Sequence, residues 1–277
     1  MQTCSAHPPR EPLAAFSIVI PARYASARLP GKPLADIAGK PMIQRVYELA
    51  LQAAAIEVLV ATDDQRIADA VEGFGGKALL TSAAHPSGTD RLCEVAEQRG
   101  YSDQHIIVNL QGDEPEMPIL LLQQVASNLQ RHPAASIATL CTAIDSVDEL
   151  LDPNVVKVVR DSCDFALYFS RAAIPYLRSE TNQRAALERQ FDASAMATGS
   201  TARYYRHLGL YAYRVRALRD FVRWPVASLE QTEKLEQLRA MSNGLRIHCA
   251  EASAVVPAGV DSPEDLARVR AMFNAAG

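Results

Sequence analysis

Three cationic side chains follow an apolar run near the start of the chain. Arg23, Arg28 and Lys32 lie in the loop PARYASARLPGKPL, which directly follows the run FSIVI. Cations and exposed backbone N–H groups together neutralise and orient phosphate oxygens, so this composition is typical of a polyphosphate site. A solvated basic loop would have the same composition, but the position after a buried strand favours the phosphate site. The loop is neither a GxGxxG dinucleotide fingerprint nor a Walker loop.

Two aspartates that are far apart in the sequence have the neighbours expected of a cation site. Asp113 lies in QGDEP after another apolar run, and Asp261 lies in GVDSPED before the last helical pattern. Mg²⁺ in nucleotide enzymes binds one or two carboxylates together with substrate phosphates. A turn or a helix cap would explain either aspartate equally well, so the residues alone leave both interpretations open.

Other polar residues also have two explanations each. The segment HPSGTDR, from His85 to Arg91, precedes a helical pattern, and capping of that helix would account for its serine and threonine. Five later residues would fit a surface strand, the core or an exposed helix face if each is considered singly; they are Arg171, His207, Tyr211, Glu236 and Gln237. Asp63 and Asp64 follow a strand, where either a site residue or a helix cap is expected.

The first half of the chain alternates short apolar runs with amphipathic segments of ten to fifteen residues. This alternation predicts βαβ units, a mostly parallel sheet and helices on both of its faces. Ligands of such sheets bind beyond the carboxyl ends of the strands. The predicted strands are FSIVI (16–20), EVLVA (57–61), KALL (77–80) and HIIVNL (105–110).

The second half predicts a smaller antiparallel portion. SIATLCT, VVKVVRD, FALYFSR, HLGLYAYR and LRIHCAEA read as strands, several of them with the alternation of antiparallel pairing. Ser228 and Gln231 have capping-box spacing before one predicted helix, 229–244, and Ser262 with Asp265 begins the last helix in the same way. The polar stretch 179–202 has little periodicity and is predicted to be a functional or disordered insert.

Composition limits the classes of protein that need to be considered. The 277 residues carry 28 basic and 32 acidic side chains, a net charge of -4, which argues against a nucleic-acid partner. Five scattered cysteines without CxxC spacing argue against disulfides or zinc and favour a reducing compartment. We find no signal-peptide core and no membrane-spanning run, so we expect a soluble, cytoplasmic protein without a membrane partner. The expected organisation is a disordered tail, 1–15, and one α/β domain, 16–274.

The motifs together resemble one family. PARYASARLPGKPL resembles the nucleotide-binding loop of sugar nucleotidyltransferases and, more closely, the opening of the 3-deoxy-manno-octulosonate (Kdo) cytidylyltransferases, or CMP-Kdo synthetases. Further blocks follow in that family's order, from about Phe16 to about Phe273; they are HPSGTDR, VNLQGDEP, VKVV, ALYFSRAAIP, RHLGLYAYR, LEQLR and GVDSPEDLARVR. The resemblance covers nearly the whole predicted domain.

The resemblance implies a nucleotide-diphospho-sugar transferase-like α/β fold and a role for each group of residues. It makes Asp113 and Asp261 the Mg²⁺ ligands, and these two with Arg23 and Lys32 the catalytic residues. The implied CTP-binding residues are Ala22, Arg23, Arg28, Lys32, Ser87, Gly88, Arg91 and Gln111, with Arg91 reaching the base. The implied pocket for the acidic sugar consists of Arg171, His207, Tyr211, Glu236 and Gln237.

The implied reaction is transfer of CMP from CTP to Kdo, with release of pyrophosphate, for lipopolysaccharide biosynthesis. The family also implies a homodimer formed through the antiparallel portion. Two alternatives remain open at the level of sequence. The acceptor could be 8-amino-Kdo or sialic acid, or the chain could be a nucleotide-binding module without turnover.

Overall fold

The computed structural model describes residues 15–25, 29–178, 183–191 and 203–276. Its strands are β1 Phe16–Ala22, β2 Asp36–Ile37, β3 Lys40–Pro41, β4 Glu57–Thr62, β5 Ala78–Leu80, β6 Ile106–Asn109, β7 Ile137–Ala143, β8 Lys157–Arg160, β9 Ala166–Ser170, β10 Tyr205–Arg214 and β11 Ile247–Glu251. Its helices are α1 Met42–Leu51, α2 Gln65–Gly73, α3 Gly88–Gln98, α4 Ile119–Arg131, α5 Val147–Leu151, α6 Gln183–Phe191, α7 Val215–Phe221, α8 Ser228–Glu233, α9 Gln237–Ser242 and α10 Pro263–Ala276.

The described strands form one mixed central sheet and one two-stranded sheet, β2–β3. The central order is β11-β7-β10-β6-β1-β4-β5. Strands β6, β1, β4 and β5 are parallel to one another, and β11 is parallel to β7, whereas β10 runs antiparallel to both of its neighbours. The β8–β9 hairpin pairs with β10 outside this path. The α/β prediction and the antiparallel portion are therefore confirmed.

Helices cover both faces of the central sheet, which explains why its strands are apolar without alternation. In β1, Ile18 and Ile20 pack with residues of α1, α2 and α4 on one face, while Val19 packs with residues of α3, α7 and α9 on the other. Because successive side chains point to opposite faces, a strand covered twice needs apolar residues at every position. None of the helices in the described ranges is long and apolar enough to cross a membrane.

The predicted single helix 229–244 is wrong, because the structure divides it into α8 and α9. Lys234 interrupts it with a left-handed backbone, φ 54°. The break lets Arg239 return to Glu230 in a buried ion pair with N–O distances of 2.8 and 2.6 Å. Ser228 is the first residue of α8 and not its cap; the N–H of Ala227 donates instead to Glu230 at 3.2 Å.

The polar stretch 179–202 contains a packed element that its sequence did not indicate. Residues 183–191 form α6, in which Ala186 and Leu187 are buried. They belong to a small apolar cluster with Val147 and Leu150 of α5. Residues 179–182 and 192–202 of the predicted insert, and 1–14 of the predicted tail, lie outside the described residues.

Candidate active site

The carboxyl ends of β1 and β6 form the walls of a cleft of about 200 Å³. The two strands are parallel neighbours, with Val19 paired to Asn109, so the segments that leave them run side by side. Gly112 allows the two segments to approach closely, since a Cβ at this position would lie 3.0 Å from the Pro21 carbonyl oxygen. The residues lining the cleft are Pro21, Ala22, Arg23, Ala25, Lys32, Pro33, Gln111, Gly112 and Asp113.

Lys32 joins three segments of the chain at the edge of this cleft. Gly31 adopts φ 68°, and its N–H donates to the Tyr24 carbonyl at 3.0 Å, which folds the basic loop back on itself. The Lys32 Nζ then lies 2.5 Å from Asp113 Oδ2, 2.9 Å from the Val260 carbonyl oxygen and 3.4 Å from Asp261 Oδ1. The structure therefore brings Lys32, Asp113 and Asp261 together, although 148 residues separate the two aspartates.

The loop that carries Asp261 docks directly on the segment that carries Asp113. The N–H of Val260 donates to the Asp113 carbonyl at 2.9 Å. Val260 is also buried with residues of α10 and with Ile37 of β2, which fixes the position of the loop. Both aspartates thus lie on one side of the molecule, as a shared cation requires.

Glu114, which sequence reasoning did not select, adds a third carboxylate beside this pair. Its Oε2 is enclosed and has no hydrogen-bond partner among the described residues. Burial, followed by the charge of Asp113, raises the pKa of Glu114 to about 8. The described residues hold no group of three or more His, Cys, Asp or Glu side chains arranged as a complete metal cage. Two carboxylates and a nearby unpartnered carboxylate oxygen fit Mg²⁺, which binds few protein ligands and completes its shell with phosphates and water.

Arg23 connects the basic loop to the segment 85–91. Its Nη2 donates to the His85 carbonyl at 2.9 Å, and the His85 ring contacts Glu94 of α3. Arg23 therefore fixes this segment against the cleft that it lines. Arg28 lies outside the described residues.

Ser87 and Gly88 begin α3 beside the cleft. The Ser87 hydroxyl accepts from the Asp90 N–H at 3.3 Å and caps the helix, so the capping explanation holds for this residue. Arg91 is fully buried, with Nη2 2.8 Å from Asp63 Oδ2 and Nη1 in contact with the Thr81 hydroxyl. Its predicted contact with a base stays a prediction, since these bonds direct the guanidinium at Asp63 and Thr81.

The Arg91 contact also shows that Asp63 and Asp64 have different roles, which the sequence left open. Asp64 caps α2 by accepting from the Arg66 N–H at 3.0 Å, whereas Asp63 pairs with Arg91. A buried guanidinium needs a carboxylate partner, but the burial of Arg91 appears only in the fold, so no local signal selected Asp63 over Asp64.

Tyr211, Glu236 and Gln237 meet at a partly enclosed cavity of about 80 Å³. The Tyr211 hydroxyl and Gln237 Nε2 are enclosed and have no hydrogen-bond partner among the described residues. Glu236 Oε1 lies 2.7 Å from the Ser87 hydroxyl oxygen, which connects this cavity to the segment 85–91. The other lining residues are Thr89, Ile137, Tyr213, Phe221 and Ala240.

His207 lies next to this cavity without lining it. Its ring centroid is 5.3 Å from that of Tyr211, and its Nε2 is 3.1 Å from the Thr139 hydroxyl. Burial lowers the pKa of His207 to about 3, so the imidazole is neutral at pH 7. Thr139 also lies 3.0 and 2.8 Å from the carbonyl oxygens of Leu208 and Leu210. Since its single proton goes to one of these carbonyls, Thr139 accepts from His207 Nε2–H, which leaves Nδ1 as the acceptor atom of the ring.

Arg171 is held by backbone carbonyl groups at a position separate from the lining of that cavity. Its Nε donates to the Glu233 carbonyl at 2.7 Å, and its Nη1 donates to the Pro153 carbonyl at 2.8 Å. The Glu233 carboxylate accepts from the Ser170 hydroxyl at 2.6 Å and from the Arg171 N–H at 2.9 Å. Glu233 and Ser170 were not selected from the sequence, because neither residue type is distinctive in a strand end or a polar helix.

Comparison with known proteins identifies the family to which this chain is similar. A family model described as cytidylyltransferase matches residues 17–247. The 3-deoxy-manno-octulosonate cytidylyltransferase of Hahella chejuensis is 53% identical over 261 residues, 94% of this chain and 98% of the relative. The protein of the same name from Saccharophagus degradans is 52% identical, with 94% and 98% covered.

A solved structure has the same arrangement over nearly all of both chains. It is a CMP:2-keto-3-deoxy-manno-octonic acid synthetase complexed with CTP, with a TM-score of 0.82 and 46% identity. The match covers 95% of this chain and 100% of that one. The family predicted from the sequence motifs is thereby confirmed, and this chain belongs to the 3-deoxy-manno-octulosonate cytidylyltransferases.

Proposed function

We propose that this protein is a nucleotidyltransferase that transfers CMP from CTP to Kdo, yielding CMP-Kdo and pyrophosphate for lipopolysaccharide biosynthesis. The observation that carries the proposal is the convergence of Lys32, Asp113 and Asp261 at the end of β1 and β6. This convergence occurs in a chain that is similar over 95% of its length to a synthetase complexed with CTP.

The chain's own residues would bind and orient the two substrates. Arg23 and Lys32, with Arg28, stabilise the triphosphate and the charge that develops on departing pyrophosphate. The anomeric hydroxyl of the sugar attacks the α-phosphorus opposite that leaving group, so positioning matters more than covalent chemistry. Ala22 and Gln111 line the same cleft. The segment 83–91, which the Arg23–His85 hydrogen bond joins to the cleft, would recognise the cytosine.

We propose Mg²⁺ as the cofactor, held by Asp113 and Asp261. When bound, Mg²⁺ offsets phosphate charge and lowers the pKa of the attacking hydroxyl. Lys32 Nζ contacts both carboxylates, at 2.5 Å from Asp113 and 3.4 Å from Asp261. Lys32 therefore keeps two like charges close to each other at the position where they are needed.

Tyr211, Glu236 and Gln237 form the acceptor side, with His207 and Arg171 at its border. An acidic sugar needs polar groups for its hydroxyls and a cation for its carboxylate. The unpartnered Tyr211 hydroxyl and Gln237 amide supply donors in the cavity. The carbonyls of Glu233 and Pro153 use only Nε and Nη1 of Arg171, which leaves the Nη2 edge of the guanidinium for an anion.

We propose a homodimer formed through the antiparallel portion. Leu167 of β9 is 60% exposed, and Tyr176, which follows β9, is 70% exposed, large apolar areas for a hairpin at a sheet edge. Sedimentation of the wild type and of Leu167→Ser tests this; we expect a dimer that the substitution weakens. A monomeric wild type would contradict it.

We place the protein in the cytoplasm, where CTP is available. Four cysteines in the described ranges are free thiols, and Cys93, Cys141 and Cys249 are buried. Free thiols are the ordinary state of cysteine in a reducing compartment. Fractionation of cells that express the native protein tests the location.

Pyrophosphate release with CTP and a panel of acceptors tests the proposed reaction. We expect turnover with Kdo that exceeds turnover with 8-amino-Kdo and sialic acid, and CTP preferred over UTP by about tenfold to a thousandfold. Equal kcat/KM for UTP would contradict the cytosine assignment. Binding of CTP without release of pyrophosphate for any acceptor would identify a nucleotide-binding module instead.

A further inference from the structure

The Ser87 hydroxyl lies between two carboxylates. Its Oγ is 2.7 Å from Asp90 Oδ2 and 2.7 Å from Glu236 Oε1. The same oxygen accepts from the Asp90 backbone N–H at 3.3 Å, so its own rotation is restricted. A serine hydroxyl has a single proton to donate, whereas an ionised carboxylate only accepts. Two short contacts with carboxylate oxygens therefore need a second proton, which one of the carboxyl groups must carry.

The surroundings identify Glu236 as the group that carries it. Glu236 lines the partly enclosed cavity together with Tyr211 and Tyr213 of β10 and Thr89 of α3. The nearby cation, Arg239 of α9, uses its guanidinium on the buried carboxylate of Glu230. Burial raises the pKa of Glu236 against the opposing effects of hydrogen bonding with Ser87 and Thr89 and of the Arg239 charge, and the charge of Asp90 contributes in the same direction as burial.

Asp90 has the opposite environment. It lies in the first turn of α3, where the N-terminal end of the helix favours negative charge. The chain of donors then has one direction: Glu236 carboxyl to Ser87 oxygen, and Ser87 hydroxyl to Asp90 carboxylate.

We propose that Glu236 is a neutral carboxylic acid, held in this state by its burial and by the charge of Asp90 and oriented by its hydrogen bond to Ser87, so that the acceptor cavity presents an uncharged, donor-bearing wall to an anionic sugar. This inference rests on the proposed function for its substrate, an acidic sugar. Ser87 and Asp90 are positioning residues in it. An ionised Glu236 would repel the substrate carboxylate in a partly enclosed site, whereas the neutral acid leaves the donors of Tyr211 and Gln237 unopposed.

The protonation state can be measured without substrate. In protein labelled with ¹³C at the glutamate carboxyl, Glu236→Gln identifies the Glu236 resonance by its loss. If that variant does not fold, Ser87→Ala identifies the same resonance by shifting it, because the hydrogen-bond partner is removed. We expect the resonance to stay at its protonated position beyond the pH at which ordinary glutamates titrate.

Asp90→Asn should move the Glu236 titration to lower pH, since a like charge that favours the neutral acid is lost. The matched control is Asp145→Asn, an exposed aspartate before α5, which should leave the titration in place. A Glu236 that titrates at the ordinary glutamate value, unmoved by Asp90→Asn, overturns the proposal.

Steady-state kinetics at several pH values test whether protonation of Glu236 favours binding of the acidic sugar. We expect KM for the acidic sugar to rise about tenfold or more with pH through the Glu236 titration, while KM for CTP changes little, and Asp90→Asn to move that rise to lower pH. A sugar KM that is independent of pH across a measured Glu236 titration overturns the role in recognition. Absence of turnover with every acidic sugar would instead overturn the proposed function, and the resonance measurement would still decide the protonation state.

Discussion

Lys32 contacts both aspartates of the candidate site, and this contact determines what each residue can do there. A lysine between two carboxylates reduces their mutual repulsion, so the pair stays together before any divalent cation binds. The same ammonium group lies at the cleft that Arg23 lines and can turn to phosphate oxygens. We propose that Lys32 exchanges partners as substrate charge enters.

Lys32→Ala and Arg23→Ala should each lower kcat by about a hundredfold and change sugar KM much less. Both cations would act on charge that shifts as pyrophosphate leaves, a loss that appears in the transition state. Steady-state kinetics with varied CTP and sugar measure this. Lys40→Ala, which removes an exposed pair with Glu48, is the control. Unchanged kcat in both cleft variants would mean that the loop is only a solvated surface.

Asp113→Asn and Asp261→Asn should fold normally, need more Mg²⁺ for half-maximal rate and lose most of their turnover. Each substitution removes one unit of ligand charge and changes the side-chain shape very little. Turnover as a function of Mg²⁺ concentration, with circular dichroism to verify folding, tests the pair. Asp36→Asn, at the exposed first residue of β2, should behave as the wild type. A full-rate Asp261→Asn protein at limiting Mg²⁺ would exclude this aspartate as a ligand.

At the scale of elements, α6 shows that a helix can pack firmly although the periodicity of its apolar residues is weak. The helix is polar over most of its surface and buries only a short apolar stripe, including Leu187, against α5. A stripe this narrow gives a weak amphipathic signal, although each residue in it is firmly packed.

Leu187→Ala should lower the free energy of unfolding by about 2 to 4 kcal/mol, since it removes a side chain that is 3% exposed. Glu188→Ala, on the exposed face of the same helix, should change it by less than about 0.5 kcal/mol. Chemical denaturation of both variants gives the comparison. If both substitutions changed the free energy of unfolding by the same small amount, α6 would contribute no packing energy. A short Gly-Ser replacement of 179–202 would then be tolerated.

Local patterns predicted the strands and the cleft because those features depend on neighbours in sequence. The run Phe16–Ile20 is apolar at every position because two layers of helices cover it, and ligand sites in such sheets follow the strand ends. The break at Lys234 and the pairing of Asp63 with Arg91 depend instead on contacts across the fold. The meeting of Asp113 with Asp261 also needed a tertiary arrangement, and only the family resemblance indicated it.

At the scale of the whole molecule, the edge strand β11 carries a buried histidine, His248, that stacks on the half-buried His132 at the end of α4. His132 and His248 stack with centroids 3.8 Å apart, and His248 also contacts the edge of Phe165. Burial, with smaller contributions from the charges of His132 and Arg160, lowers the pKa of His248 to about 4. A histidine that is neutral in the folded state but titrates normally when unfolded makes folding dependent on pH.

Stability should therefore fall as pH decreases from 6.5 to about 4. In that window the unfolded chain binds a proton at His248 that the folded chain does not, so acid favours unfolding. The His248 shift corresponds to roughly 3 kcal/mol, which His248→Phe should remove, while the pH dependence that comes from the lowered pKa of His207 stays. Denaturant titrations at several pH values measure it. His132→Phe should weaken the dependence less, because it removes only a neighbouring charge; a His248→Phe slope equal to the wild type would contradict the assignment.

The docking of Val260 on Asp113 has a consequence for how occupancy of the site can be followed. Residues 252–262, which connect β11 to α10, have no regular secondary structure, and Val255 is 87% exposed. Cleavage there would separate Asp261 and α10 from the segment that carries Asp113. A cation or nucleotide that binds both aspartates would draw this connection onto the body of the protein. Resistance of this connection to a protease would then report how full the site is, with no need to observe catalysis.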